Sequence, residues 1–360
     1  MSKIKFLLII IIFSIFYSIH FFILRTISKI IQKPISIRTY TLPIFMMIIL
    51  SFSTQTSYSI SKRCYSYIYF ISTAYLGLII YIFLFCTLYR ILNRLYPIKS
   101  IYSNLILAII CPLLLIIYGI INANRVTVDK TVRIRSKQYK ANKPTLIAHL
   151  SDLHLGAVYQ KDFVQKICNV INNKILPDII VITGDLFDSS MKPELEWLEP
   201  FNNINVPILY ITGNHEELIG LDDVMKVINK SNIIHIGNKM YELKGKNVNF
   251  IGVDYGFNLN KKLEEVDIKT NQVNIVISHV PNIRLNELER FNILMYLCGH
   301  THGGQMFPMH LTSYLSSKCF KGLYEEKGKF VYVSEGLGTA LFPIRIGSFS
   351  RIGVIKIEKE

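Results

Sequence analysis

The sequence predicts a layered α/β domain preceded by an N-terminal transmembrane helical region, and three observations carry that prediction. Long apolar runs without an acidic residue fill the first third of the chain. Short, mostly β-branched runs alternate with amphipathic stretches in the remainder. Asp, His and Asn residues recur where those short runs end.

The membrane part follows from charge and length. Of 360 residues, positions 1–124 hold no Asp or Glu but eleven Lys or Arg, while 125–360 hold 29 basic and 25 acidic residues. The net charge of +15 therefore divides into +11 and +4. A nucleic-acid binder carries its basic excess on a folded soluble domain. Here most of it lies between apolar runs, where membrane topology accounts for it, so the bilayer is the expected partner and nucleic acid is not. The runs are 4–24, 42–60, 65–89 and 101–123, and about 20 apolar residues cross a hydrocarbon core of about 30 Å. The second is weaker, being interrupted by Ser51, Ser53, Thr54, Gln55, Thr56 and Ser57. Four spans are favoured, with three as the fallback. Lys3 and Lys5 precede the first run as in a signal peptide, but its apolar core is too long and no small-residue cleavage site follows. It is read as retained. With four spans, the N-terminus and the soluble half share a side that carries eleven basic residues near helix ends against seven opposite, which points to a cytoplasmic soluble domain.

Residues 125–143 are polar, basic and ended by Pro144, and they read as a linker to a domain over 144–360. Within it, 145–150, 179–183, 208–212, 248–253, 273–278 and 293–298 read as buried strands, with 330–334 and 352–357 closing the chain. Phe163, Ile167, Val170 and Ile171 share one helical face, as do Leu221, Val224, Met225 and Ile228. Such alternation predicts sheets covered by helices. Cys168, Cys298 and Cys319 show no CxxC spacing, and Cys64, Cys86 and Cys111 lie in or beside the apolar runs. Reduced thiols are expected.

The chemistry lies at the strand ends. Strand 145–150 runs into Ser151-Asp152-Leu153-His154, 179–183 into Gly184-Asp185, and 208–212 into Gly213-Asn214-His215-Glu216. Strand 273–278 ends at His279, and 293–298 at Gly299-His300-Thr301-His302-Gly303-Gly304. Taken singly, Asp-x-His is common by chance and Gly-Asp is usually only a turn. Five in order, each at a strand end, point to a metal site at the carboxyl edge where open α/β sheets bind ligands. Carboxylate, amide and imidazole donors without cysteine suit Mn, Fe or Zn. Two such cations can clamp the attacking and leaving oxygens of a phosphoryl displacement, so no Ser or Cys nucleophile is required. No G-x-S-x-G elbow is present.

The order D-x-H, G-D, G-N-H-E, H and G-H-x-H resembles the calcineurin-like metallophosphoesterases over roughly 144–358. That resemblance implies a four-layer α/β/β/α sandwich and a dinuclear centre of divalent metals. It implies Asp152, His154 and His302 on one metal, Asn214, His279 and His300 on the other, and Asp185 bridging. It further implies that His215 contacts phosphate and protonates the leaving oxygen, with Asp188 orienting neighbours by hydrogen bonds. SDLHLG, CGHTHGGQ, KGLY and the GLGT…PIR stretch resemble the membrane-associated bacterial branch. Some of its enzymes cleave the pyrophosphate of UDP-2,3-diacylglucosamine, so a phosphate-containing, lipid-linked substrate is implied. Glu335 and the stretch Ser348-Phe349-Ser350-Arg351 depart from that branch, and both are expected at the pocket rim. A catalytically silent metal-binding scaffold or sensor is the alternative reading. A transporter is disfavoured because the spans lack intramembrane acids.

Overall fold

The computed structural model describes residues 3–41, 43–45, 61–97, 100–282, 285–317 and 319–360. They divide into two compact units, Met1–Ile121 with Leu341–Ile344, and Asn122–Ala340 with Arg345–Glu360.

In the first unit, three helices are long and apolar enough to cross a membrane: Ile10–Ile31, Lys62–Leu95 and Ile101–Ala123. They correspond to the first, third and fourth apolar runs. The expected span at 42–60 lies outside the described residues except for 43–45. Ser61 starts the second of these helices by accepting the Cys64 N–H at 3.3 Å, which satisfies one backbone donor a helix start leaves open. The helices bury Ile23 and Ile30 with Ile79, Cys86 and Ala108. Among the described residues, no disulfide joins any of the six cysteines.

The second unit carries thirteen strands among its described residues. In chain order they are β1 (Thr127–Val128), β2 (Val132–Ser136), β3 (Thr145–Leu150), β4 (Ile179–Thr183), β5 (Ile208–Ile211) and β6 (Ile233–His235). There follow β7 (Met240–Leu243), β8 (Val248–Val253), β9 (Val273–Ser278), β10 (Met295–Cys298), β11 (Gly322–Glu326), β12 (Lys329–Val333) and β13 (Arg351–Lys359). They form two sheets, one ordered β1-β13-β3-β4-β5-β6 with β2 also on β13, the other β11-β12-β10-β9-β8-β7. β3 to β6 run parallel, as do β8, β9, β10 and β12. β13, β7 and β11 pair antiparallel to their neighbours β3, β8 and β12. Strands buried on both faces need apolar side chains on both, which is why Ile179, Ile180, Val181 and Ile182 are all inaccessible.

The sheets face each other across one core. Ile147, Val181, Leu209 and Ile211 of the first meet Phe250, Ile275, Ile277 and Leu297 of the second. Leu263 and Leu288, from helices Leu259–Glu265 and Leu285–Arg290, join Ile251, Val276 and Tyr296 in a second core on the other side of the second sheet. The layered α/β expectation is met.

The stretch 125–143 is not a linker in structure. β1 and β2 both pair parallel with β13, and β2 alternates exposed Arg133 and Arg135 with buried Ile134 and Ser136. A half-buried edge strand needs only that alternation, and its arginines hide it in a compositional reading. Asn122 joins the same unit by donating to the Arg345 and Ser348 carbonyls at 3.0 and 2.9 Å.

Candidate metal centre

Five parallel strands deliver the seven residues named above. Asp152 and His154 follow β3, Asp185 follows β4, and Asn214 opens a helix after β5, all from the first sheet. His279 follows β9, and His300 and His302 follow β10, both from the second sheet. The two edges are tied directly, because His279 Nδ1 lies 2.8 Å from the Thr183 carbonyl at the end of β4. The backbone turns hard at these positions. Asp152, His154, Asp185, His300 and His302 all have positive φ, between 48° and 70°. Side chains rarely tolerate that region, at a cost of roughly 1–3 kcal/mol each, and such strain concentrates at functional sites. Close approach also excludes side chains: a Cβ on Gly213 would collide with Asp185, and one on Gly299 with Ser151 and Asp152.

The side chains meet in two groups. Asp152, His154 and His302 offer donor atoms within 4.8 Å of one another, as do Asp185, His279 and His300. In the first, His154 Nε2 is 3.0 Å from His302 Nε2, and His302 Nε2 is 3.5 Å from Asp152 Oδ1. In the second, His279 Nε2 is 3.0 Å from Asn214 Oδ1, 3.1 Å from His300 Nδ1 and 3.2 Å from Asp185 Oδ2. Asp185 Oδ2 also lies 3.8 Å from His154 Nε2, so one carboxylate oxygen faces both groups.

This donor set fits divalent cations. With His279 Nδ1 at the Thr183 carbonyl, its Nε2 stands among three further donor atoms, Asn214 Oδ1, His300 Nδ1 and Asp185 Oδ2. A proton can be shared by one pair among them, whereas a cation is shared by all four. His154 Nε2 and His302 Nε2 likewise meet as two ring nitrogens 3.0 Å apart, which one proton or one cation can join. Burial drives His154 down to about 3 and His302 well below its ordinary value, so two neutral imidazoles point nitrogen at nitrogen. Burial lowers His300 to about 4, with His279 adding to the effect. Burial alone would lower His279 too, but Asp185, Asp152 and the Thr183 carbonyl outweigh it and hold His279 at about 9. Asp185 is held low against its burial by His279 and His154. Burial raises Asp152 to about 6, with His279 opposing. Mixed oxygen and nitrogen donors of this kind suit first-row divalent metals.

His215 and Asp188 stand beside the first group. The His215 ring is 4.6 Å from that of His154, nearly perpendicular, and its backbone N–H donates to Asp185 Oδ1 at 2.9 Å. Its Nδ1 faces Asp188 Oδ1 at 3.8 Å, and Asp188 itself accepts from the Ser190 hydroxyl at 2.8 Å.

Two buried charged residues escape sequence reasoning. Glu216 is inaccessible and accepts backbone N–H bonds from Asp185 (3.0 Å), Phe187 (3.0 Å) and Gly213 (2.6 Å). It clips together the turns that carry Asp185 and Asn214. Its place in the Gly-Asn-His-Glu run was the available signal. Arg345 is inaccessible and donates to the carbonyls of Gly338 (2.7 Å) and His302 (3.3 Å), fixing the backbone at His302. Only its Pro-Ile-Arg context hinted at it. The two departures expected at the rim prove to be one arrangement. Glu335 pairs with Arg351 at 3.2 Å and accepts the Phe349 N–H at 3.2 Å, leaving its side chain 10% exposed.

Known proteins resemble this chain over the part that carries the site. A family profile described as calcineurin-like phosphoesterase matches residues 145–304. An uncharacterized metallophosphoesterase of Helicobacter pylori is 31% identical over 230 residues, 61% of this chain and 61% of that protein. One of Campylobacter jejuni is 30% identical over 277 residues, 71% of each. A zebrafish (Danio rerio) protein named transmembrane protein with metallophosphoesterase domain is 27% identical over 283 residues, 72% of this chain and 63% of that one. The chain thus spans 61% of the length of its Helicobacter relative.

Proposed function

This chain belongs to the calcineurin-like metallophosphoesterases, and from that premise we propose that it hydrolyses a phosphoester or phosphoanhydride bond at a membrane surface. Asp152, His154 and His302 would hold one divalent cation, and Asn214, His279 and His300 a second, with Asp185 shared. The single observation that carries this reading is Asp185 Oδ2, which faces His279 Nε2 at 3.2 Å and His154 Nε2 at 3.8 Å. Such a metal pair would supply polarisation of the phosphoryl oxygen and a bound water of lowered pKa. The protein's own groups do the remainder. Glu216 and Arg345 lock the loops, so the donors need not reorganise when substrate arrives. His215 stays 20% exposed in its side chain, with Asp188 on its Nδ1 side, which leaves Nε2 to hand a proton to the departing oxygen.

A lipid-linked substrate such as UDP-2,3-diacylglucosamine is the finer reading. Three membrane-competent helices support it, since acyl chains can stay in the bilayer while the headgroup reaches the metals. So does helix Met309–Ser316, which buries no residue and exposes Leu311, Tyr314 and Leu315 by 58%, 69% and 82%. The excess of basic residues on the loops favours a cytoplasmic catalytic domain. The test is turnover by full-length protein in detergent, loaded in turn with Mn²⁺, Fe²⁺ or Zn²⁺. Metal-dependent cleavage of bis(p-nitrophenyl) phosphate, and faster cleavage of UDP-2,3-diacylglucosamine, are expected. Metal-loaded protein inert toward both would favour the silent scaffold instead.

A further inference from the structure

A buried polar chain runs beside the metal centre, and neither the ligand set nor the proton transfer uses it. It starts at His149 in β3, passes through Thr183 at the end of β4 and reaches Ser151, the residue before Asp152. All three are inaccessible. His149 Nε2 lies 2.8 Å from Thr183 Oγ1, and Thr183 Oγ1 donates to Ser151 Oγ at 2.9 Å.

Counting protons gives the chain a direction. The Thr183 hydroxyl has one proton and gives it to Ser151, so toward His149 it can only accept. His149 is then the tautomer with its proton on Nε2. Its Nδ1 is a bare acceptor, buried and without a hydrogen-bond partner. Such an unmet atom is unfavourable, and what accompanies it is a fixed donor aimed at Thr183.

At the other end the chain reaches a proposed ligand. The Ser151 hydroxyl bonds to the Asp152 carboxylate, with the Thr183 carbonyl as a longer alternative at 3.3 Å. Ser151 Oγ and Asp152 Oδ2 both crowd Gly299, where a Cβ would strike each of them. From the second sheet, the His300 N–H lies 3.1 Å from both Asp152 oxygens. Asp152 is thus gripped from two sides. The Thr183 carbonyl, meanwhile, holds His279 Nδ1 at 2.8 Å. One residue therefore serves the two halves of the centre by different atoms, its hydroxyl toward Asp152 and its carbonyl toward His279.

Building on the ligand assignment above, we propose that Thr183 is a positioning residue for the first cation. Its hydroxyl, oriented by His149, holds Ser151 so that Asp152 faces His154 and His302, while its carbonyl independently aims His279 at the second cation. The two roles can be separated, because a side chain can be changed and a carbonyl stays.

The experiment titrates full-length protein and its variants with Mn²⁺ and reads each binding step by electron paramagnetic resonance. Thr183→Val keeps the shape and the carbonyl and removes the hydroxyl. One Mn²⁺ affinity should fall at least about tenfold, the scale of a lost outer contact, and the other should stay within about twofold. Ser151→Ala should weaken the same ion, and Thr183→Ser should restore binding. His302→Ala already disables the first site, so adding Thr183→Val to it should change the remaining affinity by less than about twofold. Trp197 fluorescence shows that each variant is folded. Equal loss at both sites, no loss at either, or a Thr183→Ser protein as weak as Thr183→Val overturns the positioning role alone. Fewer than two Mn²⁺ on the wild type overturns the ligand assignment and this role with it.

Discussion

Glu216→Gln replaces one carboxylate oxygen by an amide NH₂ and should disturb both halves of the metal centre without replacing a proposed ligand. In the native protein Oε2 accepts from Asp185 N at 3.0 Å and Gly213 N at 2.6 Å, and Oε1 from Phe187 N at 3.0 Å. Glutamine has one oxygen. If it keeps the two bonds at the Oε2 position, its amide –NH₂ faces the Phe187 N–H, donor against donor, in a site closed to water. The unmet buried donor costs about 1–3 kcal/mol, and the two Oε2 bonds, only partly charge-assisted in a carboxyl that burial and Asp185 raise to about 7, add up to about 1 kcal/mol more. The expected loss is about 1–4 kcal/mol, or about 3–15 °C in Tm for a domain of this size. The turns bearing Asp185 and Asn214 lose their clip, so metal affinity or turnover should fall about 10- to 100-fold, as when an outer-shell partner is removed. Trp197, 4% exposed and the only tryptophan, reports unfolding by fluorescence. Elemental analysis gives metal content and a chromogenic diester gives turnover. A variant within 2 °C and twofold of wild type would refute the role assigned to Glu216.

Asp185→Asn should leave the fold intact yet lower kcat by about 10²-fold or more, because the shared anionic donor is lost; near-native turnover would count against a shared carboxylate. His215→Ala should lower kcat by about 10²–10⁴-fold with metal content retained, and slow esters with poor leaving groups more than p-nitrophenyl ones; an equal effect on both would remove its proton-transfer role. Metal uptake should release protons, since metal-free His279 at about 9 is protonated at pH 7 and must lose that proton to bind. Apparent affinity should therefore rise with pH up to about 9, and titration calorimetry in two buffers of different ionisation enthalpy measures the released proton. His149, wholly buried in β3, is held neutral by burial with its pKa at about 3. The unfolded chain then binds a proton between about pH 6.5 and 3 that the folded chain does not. Its contribution is full above that range and is lost on acidification, by up to about 1.4 kcal/mol per pH unit. His149→Gln should flatten the fall in denaturant midpoint between pH 7 and 5, and an unchanged slope would refute the assignment.

Much of this was legible because burial writes itself into sequence. β3, β4, β8 and β9 are covered on both faces, so their runs are mostly apolar, and their residue ranges match the sequence expectation at both ends. Strands with one face in water were harder to see. β2 reads as basic linker because Arg133 and Arg135 alternate with its buried residues, and β7 and β11 lie at sheet edges with Glu242, Glu325 and Glu326 exposed. The strand-end Asp, His and Asn residues were visible because ligand chemistry restricts residue type. What holds them was not. Positive φ at Asp152, His154, Asp185, His300 and His302 leaves no mark outside the neighbouring glycines. Glu216 and Arg345 act through backbone groups that carry no sequence identity. The partnership of Glu335 with Arg351 spans two segments that looked like separate departures.

The central claim is a pair of metals joined through Asp185, and electron paramagnetic resonance of Mn²⁺-loaded protein tests it most directly. The account predicts two Mn²⁺ per chain with an exchange-coupled multiline spectrum, and loss of that coupling in Asp185→Asn. One Mn²⁺ per chain, or two whose spectrum is that of isolated ions in the wild type, would contradict it.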